Sequence, residues 1–396
     1  MWFTVGVVYI AALSIVDFTL FNYIGFDPKV TYVEFSVISG AWSAVFVLSN
    51  ELLGRLADRG EHGRLAELST ATIAASAVLF TISRGSIVLM GAAYMLHAVA
   101  TASANLAFST GLFELTPAES WEFRTSIQRL GLYSLRGLAL LTLAALEPLV
   151  GTLGPIVAAL VLAAVAGVAL TFTLPPSMPL LERRLSKAFR GLSAFSVYTS
   201  SLAAFVGGRY GILYSLSAQV ETRPSPLRLG LAAAFSAFVG DYFLTALPLY
   251  LRSESFTYVE YTLAFGAAGL AAALGLIVID ALSAGPCLVA GLVIARGLWM
   301  AALLTYVRGL AGLALYVTVS LVLFASVELM LYRLFVKQAS GYGVHTYAVL
   351  KEIGSLMGSL AGGVALLGGT YVFLGLPLAS TLISAALVLV NSRVKI

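Results

Sequence analysis

Long apolar stretches alternate with short polar ones along the whole chain. A stretch of roughly 20 apolar residues is long enough to cross a bilayer as an α-helix, and runs this long and continuous are not barrel strands. The pattern predicts twelve transmembrane helices, at 2–26, 31–54, 65–84, 86–113, 124–147, 153–174, 226–251, 257–280, 284–307, 309–335, 343–368 and 370–391. We therefore expect an all-α membrane protein.

One stretch of the first half returns in the second half. The sequence DFTLFNYIGFDPKVTYVE at 17–34 corresponds to DYFLTALPLYLRSESFTYVE at 241–260. Each copy opens with an acid inside an apolar run and closes with Thr-Tyr-Val-Glu, and the second copy is two residues longer. Internal repeats of this kind indicate duplication. They predict two pseudo-symmetric six-helix bundles, at 1–174 and 226–396, joined by a linker at 175–225.

Composition and charge agree with this picture and orient it. The chain is 60% hydrophobic and 11% charged, with a mean hydropathy of +0.95. Sixteen Lys and Arg residues fall on one side of the predicted membrane and four on the other. Because positive loops stay inside, both termini are predicted to be cytoplasmic in a multi-pass protein of the cell membrane. The linker begins with a basic stretch typical of an amphipathic helix on that face, and the net charge of +4 does not point to nucleic acid.

The chain lacks the residue patterns of several other classes. Cys287 is the single cysteine, and the three histidines, at 62, 97 and 345, lie on different segments without ligand spacing. We therefore expect no metal site and no cofactor. No catalytic serine, cysteine or histidine constellation and no phosphate-binding loop are present, so the chain is not predicted to be an enzyme or an ATP-driven pump.

The loop between the second and third spans carries the most specific motif. It reads Gly54-Arg55-Leu56-Ala57-Asp58-Arg59, followed by Gly63-Arg64 two residues later than the usual pattern. With two parallel six-helix halves, this resembles the major facilitator superfamily of secondary transporters. The resemblance implies a monomer that carries a small molecule by alternating access. It also implies a cytoplasmic latch made of Gly54, Asp58, Arg59, Arg64 and Glu114, unless these are ordinary solvated charges.

Three charges inside the spans are candidates for binding and coupling, because a charge in the bilayer is costly. Asp17 and Asp241 occupy matching places in the first and seventh spans. A carboxylate in a partly dry cavity can carry a proton, because desolvation disfavours its charged form; alternatively, each acid ties helices together. Arg136 lies in the middle of the fifth span. It stays charged, so it requires an acidic partner, water or an anionic substrate group.

Other polar residues in the spans are assigned to pairs, gates or the cavity wall. Arg296 and Glu328 are predicted to pair within the second half, and Lys351 and Glu352 to act in gating or pairing near the cytoplasm. Glu34 and Glu260 are either outer-gate residues or snorkelling side chains. The expected cavity residues are Asn105, Tyr23, Tyr133 and Tyr242. His97 is more typical of a packed, hydrogen-bonded histidine.

These residues predict a transporter of a small organic solute, anionic or zwitterionic, that is coupled to protons and embedded in the lipid bilayer. Two alternatives stay open: proton-driven efflux of lipophilic or cationic compounds, and a sensor that does not transport. The partner of Arg136 distinguishes the first two possibilities. An acidic partner favours efflux, whereas an Arg136 without one favours an anion site.

Overall fold

The computed structural model describes residues 1–116, 121–175, 226–280, 282, 284–302, 307, 309–339 and 344–390. These residues form twelve α-helices, with a short 3₁₀ turn at Leu366–Gly368. The helices are α1 (Trp2–Phe26), α2 (Tyr32–Asp58), α3 (His62–Ile82), α4 (Ile87–Leu115), α5 (Trp121–Val150), α6 (Leu153–Thr173), α7 (Pro226–Ser253), α8 (Tyr258–Asp280), α9 (Pro286–Ala301), α10 (Gly309–Ala339), α11 (Val344–Ala365) and α12 (Gly369–Val390). The predicted twelve-helix pattern is confirmed. The predicted linker helix lies outside the described residues.

Most of these helices are long and apolar enough to span a membrane. Ten stretches of the described residues meet that criterion, and one of them, Val349–Val390, runs from within α11 to the end of α12. The sixteen-residue α9 is apolar but shorter. Large apolar side chains point outward along the lipid-facing helices, as Val165 and Phe172 do on α6. The chain is a multi-pass membrane protein.

Two six-helix bundles meet mainly along two helix pairs, α2 with α11 and α5 with α8. Glycines permit the second contact. A Cβ atom on Gly137 of α5 would lie 2.8 Å from the carbonyl oxygen of Gly266 on α8, and a Cβ atom on Gly269 would lie 3.0 Å from the Cα atom of Gly137. Small residues of this kind let helix backbones approach in a membrane. The backbones of α5 and α8 are therefore in direct contact where the two bundles meet.

Within the second bundle, α11 packs against α7 through a stripe of glycines. Gly354, Gly358 and Gly362 follow one another at four-residue spacing on one face of α11. A Cβ atom on any of them would collide with a backbone carbonyl of α7. Their spacing is the small-xxx-small pattern of membrane helix packing.

The repeated Thr-Tyr-Val-Glu segments form matching helix starts. At the start of α2, the backbone N–H of Glu34 donates to Thr31 Oγ1 at 3.2 Å, and the Thr31 N–H donates to Glu34 Oε2 at 2.8 Å. Thr257 and Glu260 make the same two bonds, at 3.2 and 2.8 Å, before α8. Each segment is a capping box, in which a Thr and a Glu three residues later satisfy each other's backbone donors.

The halves also meet at the end of the molecule that holds the α1–α2 loop, which is the predicted outer side. Arg252 of α7 donates to the carbonyl oxygens of Gly25 and Asp27 at 3.2 and 2.5 Å. Deeper in the bundle, the Ser39 and Thr245 hydroxyls share a hydrogen bond of 3.1 Å between α2 and α7. These contacts close this end of the interface.

Candidate functional site

Three adjoining cavities lie between the two bundles, and Asp17 lines all three. The polar cavity has a volume of about 420 Å³ and reaches from Asp17 to Thr125, close to the start of α5. The apolar cavity has a volume of about 190 Å³ and lies among α7, α8 and α10. The central cavity, also about 190 Å³, contains Asp17, Arg136 and Asp241 together. The coupling candidates of the sequence therefore share one space.

Asp17 is held by α4. The Tyr94 hydroxyl donates to Asp17 Oδ1 at 2.9 Å, and His97 Nδ1 lies 4.0 Å from the same oxygen. The Asp17 side chain remains 34% exposed, whereas that of His97 is fully buried. One carboxylate oxygen therefore has a fixed donor, while the side chain keeps an open side toward the cavities.

The hydrogen bonds of His97 define its neutral form. Trp42 Nε1, which can only donate, bonds to His97 Nδ1 at 3.2 Å. The other nitrogen, Nε2, therefore carries the proton and donates to the Leu13 carbonyl at 2.9 Å. The Trp42, Tyr94 and His97 rings stack with centroids 5.7 to 6.2 Å apart. His97 is thus a packed, hydrogen-bonded residue that also faces the candidate proton site.

Asp241 lies on the opposite side of the central cavity. It is half-buried and sits beside the Ser355 hydroxyl of α11. Small hydroxyl and amide side chains form much of the remaining wall: Asn22, Ser39, Ser43, Thr245, Ser355 and Ser359. The cavity therefore offers two acids, one guanidinium and several neutral hydrogen-bonding groups to a bound solute.

Arg136 contacts aromatic rings rather than an acid. Its guanidinium carbon lies 5.4 Å from the ring centroid of Phe18 on α1 and 5.3 Å from that of Phe265 on α8. Within the described part of the chain, no carboxylate oxygen comes within 4.0 Å of its nitrogens. Its Nε is buried and has no hydrogen-bond partner there. Cation–π contacts hold the charge in place but leave its N–H groups free for an anion.

The predicted pair of Arg296 and Glu328 is wrong. Glu328 forms an ion pair with Lys351 of α11, and the two side chains are 27% and 30% exposed. Arg296 instead donates to Ser236 Oγ at 2.9 Å and lies 4.9 Å above the Phe324 ring. It turns toward α7 because Gly240 leaves room there for its guanidinium.

The remaining cavity predictions divide into two groups. Asn105 and Tyr133 line the polar cavity, and Tyr133 also borders the apolar cavity. Tyr23 instead packs edge-on against Phe80, and the Tyr242 hydroxyl donates to the Phe373 carbonyl at 2.9 Å. Neither tyrosine lines any of the three cavities.

The remaining charges lie away from the central cavity. Glu352 is half-buried next to Lys351 on α11. Arg59 is exposed, and Arg64 forms an ion pair of 2.6 Å with Glu61 on its own helix end. The side chains of Asp58 and Glu114 lie outside the described residues, so the latch stays a prediction.

Sequence reasoning missed the aromatic partners of Asp17. Tyr94, His97 and Thr101 recur at three- and four-residue spacing on α4, which places them on one helix face. This spacing could have indicated that the three side chains share a site near α1. Nothing in the sequence indicated that Trp42 of α2 would pack against Tyr94 and His97. No cluster of His, Cys, Asp and Glu suited to a metal ion occurs among the residues that the structure describes.

Comparison with known proteins identifies the fold. The chain is similar to the xylose transporter XylE from E. coli in a partially occluded inward-open conformation, with a TM-score of 0.65 and 12% identity over 99% of this chain and 97% of that one. An inward-open structure of the same transporter gives a TM-score of 0.64, at 12% identity, over 97% and 94%. No protein-family model and no curated protein matches the sequence. The chain therefore has the fold of a major facilitator transporter.

Proposed function

We propose that this protein is a monomeric secondary transporter that carries a small organic anion or zwitterion through a membrane by alternating access, coupled to protons. The observation that carries the proposal is Arg136. It is a permanent cation in a cavity between the two bundles, and no described carboxylate oxygen lies within 4.0 Å of its nitrogens, although Asp17 lines the same cavity. A guanidinium with free N–H groups binds a carboxylate or another oxyanion well.

The shape of the interface supports alternating access. Contacts through Arg252 and through Ser39 close the predicted outer side, whereas the polar cavity extends toward the start of α5 on the other side. With both termini in the cytoplasm, as the loop charges predict, this is an inward-facing arrangement. The two XylE structures compared above are inward-open, one of them partially occluded.

The proposal of proton coupling rests on the surroundings of Asp17. The carboxylate faces all three cavities, and its only hydrogen bond among the described residues comes from Tyr94. Protonation would remove a negative charge from the space that Arg136 and the substrate share. Substrate binding and proton binding would thereby influence each other, which is the requirement for coupled transport.

Efflux of lipophilic cations is the second candidate, and the apolar cavity beside Asp17 favours it. In that mechanism an acid would have to neutralise Arg136, because otherwise the guanidinium would repel a cationic substrate. The structure gives Arg136 the rings of Phe18 and Phe265 instead. This arrangement supports an anionic or zwitterionic substrate over a lipophilic cation.

A binding screen tests the proposal. Purified protein is heated with organic anions, amino acids, sugars and lipophilic cations at two pH values, since a ligand specific to the folded state raises the melting temperature. We expect shifts from anions or zwitterions that disappear in Arg136→Gln. Arg124→Gln is the matched control, because Arg124 also lies on α5 over an aromatic ring, that of Phe3, but lines none of the three cavities. Shifts from lipophilic cations alone, unaffected by Arg136→Gln, would overturn the proposal.

A further inference from the structure

The apolar cavity adjoins Arg136 on the side of the second bundle. Its walls are aromatic and branched side chains from α7, α8 and α10: Phe243, Leu244, Phe265, Val317, Leu321 and Phe324. Leu244 is 37% exposed although it lies on a helix in the middle of the molecule, since it borders both this space and the central cavity. The cavity is therefore an apolar recess that opens beside the charged groups.

The volume of the recess suits one compact apolar group. It measures about 190 Å³, and an apolar cavity of roughly 150 Å³ in a protein accepts benzene. A flexible chain of many carbons would not fit. A phenyl ring or a branched aliphatic group would exchange contact with water for contact with the surrounding leucines and phenylalanines.

The charges at the mouth of the recess are of both signs. Asp17 and Arg136 line the apolar cavity as well as the central cavity, and Asp241 lies on the far wall of the central cavity. If a ligand carboxylate binds Arg136, the ligand atoms next to that carboxylate lie near Asp17, because both residues line the same cavities. An ammonium group there would neutralise the acid that the carboxylate leaves unpaired.

We infer that the substrate is an amino acid with an apolar side chain: its carboxylate binds Arg136, its ammonium group faces Asp17, and its side chain fills the apolar cavity. This inference rests on the proposed function and narrows it to one substrate class. It accounts for both signs of charge and for the apolar recess in one ligand.

Other ligand classes leave part of the site unmatched. A sugar requires many hydrogen bonds, whereas the recess is walled mainly by carbon. A lipophilic cation would fill the recess but would leave Arg136 facing a second positive charge. A simple carboxylate would satisfy Arg136 but would add a negative charge beside Asp17.

Four probes of graded chemistry test the inference by calorimetry on the purified full-length protein: L-phenylalanine, phenethylamine, 3-phenylpropionate and L-alanine. The first has all three groups, and each of the others lacks the carboxylate, the amine or the ring. We expect phenylalanine to bind most tightly. Loss of either charged group should weaken binding about tenfold or more, and loss of the ring about tenfold to a hundredfold.

A pair of variants locates the ring. Leu244→Trp fills the mouth of the recess, whereas Leu274→Trp adds the same side chain at an exposed position of α8 that lines none of the three cavities, and is the matched control. We expect Leu244→Trp to lose the preference for phenylalanine over alanine and Leu274→Trp to keep it. The melting temperature of each ligand-free variant verifies that it is folded.

The outcomes separate this inference from the proposed function. Equal binding of phenylalanine and alanine would overturn the claim that an apolar side chain fills the recess. Binding of 3-phenylpropionate as tight as that of phenylalanine would overturn the claim that an ammonium group faces Asp17. Neither result would contradict the proposed transport of an anion. Tightest binding of phenethylamine, unchanged in Arg136→Gln, would overturn the inference and the proposed function together. If none of the four binds at about 10 mM while another organic anion does, only the inference falls.

Discussion

The Tyr94 hydroxyl and the Asp17 carboxylate form a 2.9 Å hydrogen bond between α4 and α1. The bond fixes one carboxylate oxygen and leaves the side chain about one-third exposed to the cavities. His97 lies on the same face of α4 and approaches the same oxygen to 4.0 Å. The first bundle thus presents its acid to the cavity on a rigid aromatic support.

Asp17→Asn should abolish uptake driven by a pH gradient, because the amide cannot exchange a proton, while exchange of substrate across the membrane continues. Transport into proteoliposomes with and without a pH gradient measures this difference. Asp27→Asn is the control, since Asp27 follows α1 outside the three cavities and its side chain accepts a hydrogen bond from the nearby Lys29 N–H. Driven uptake that survives in Asp17→Asn would exclude Asp17 as the coupling residue.

Glu34→Gln should retain both stability and transport, because glutamine can replace glutamate in a capping box. Glu34→Ala removes the bond to the Thr31 N–H and should lower the melting temperature, because that backbone donor at the helix start loses its partner. Melting curves of the two variants, with transport assayed in parallel, test whether the side chain acts as a cap. A gate that depends on the charge of Glu34 would be indicated if the glutamine variant melted normally but transported poorly.

Gly358→Ala should destabilise the second bundle by about 1–3 kcal/mol, because the added methyl group meets the carbonyl of Phe238 and the backbone cannot yield as a side chain can. The melting temperature in detergent reports the loss. Gly375→Ala is the matched control, since a Cβ atom on this glycine of α12 meets nothing within 4 Å. Equal melting temperatures for the two variants would contradict the close α7–α11 packing.

Arg252→Ala should favour opening of the predicted outer side, because it removes the bonds to the carbonyls of Gly25 and Asp27. A cysteine placed at Ser355 in the central cavity, in a Cys287→Ser background, should then react faster with a membrane-impermeant thiol reagent added outside. Arg84→Ala is the control, because Arg84 is exposed on the same predicted side. An unchanged labelling rate would show that Arg252 does not hold this end closed.

Hydropathy predicted the helices well because the bilayer imposes their length. The first span was predicted at 2–26 and is observed at Trp2–Phe26. The ninth was predicted at 284–307, whereas α9 covers Pro286–Ala301. The thickness of the bilayer sets the approximate length of a spanning helix, but it does not determine the residue at which the helix ends.

Side-chain partners were harder to predict because they depend on how the helices are rotated against each other. Asp17, Asp241 and Arg136 were singled out by the repeat and by the cost of a charge in the bilayer, the family resemblance suggested a central cavity, and the three residues do line the central cavity. The predicted partner of Glu328, Arg296, was wrong: Glu328 pairs with Lys351, whereas Arg296 occupies the room beside Gly240 and bonds to Ser236. The capping boxes were visible in the sequence as Thr-x-x-Glu, but their glutamates were interpreted as outer-gate residues or snorkelling side chains.

The twin capping boxes fix where a helix starts independently of the length of chain before it. Each box is made within four residues, so α8 begins directly after Thr257 as α2 begins directly after Thr31, although the chain from Asp241 to Glu260 is two residues longer than the chain from Asp17 to Glu34. Glu254 and Ser255 lie in the loop before α8 and are exposed. An epitope or affinity tag inserted between them should therefore leave α8 in register, which makes this loop a suitable site for labelling the protein from its predicted outer side.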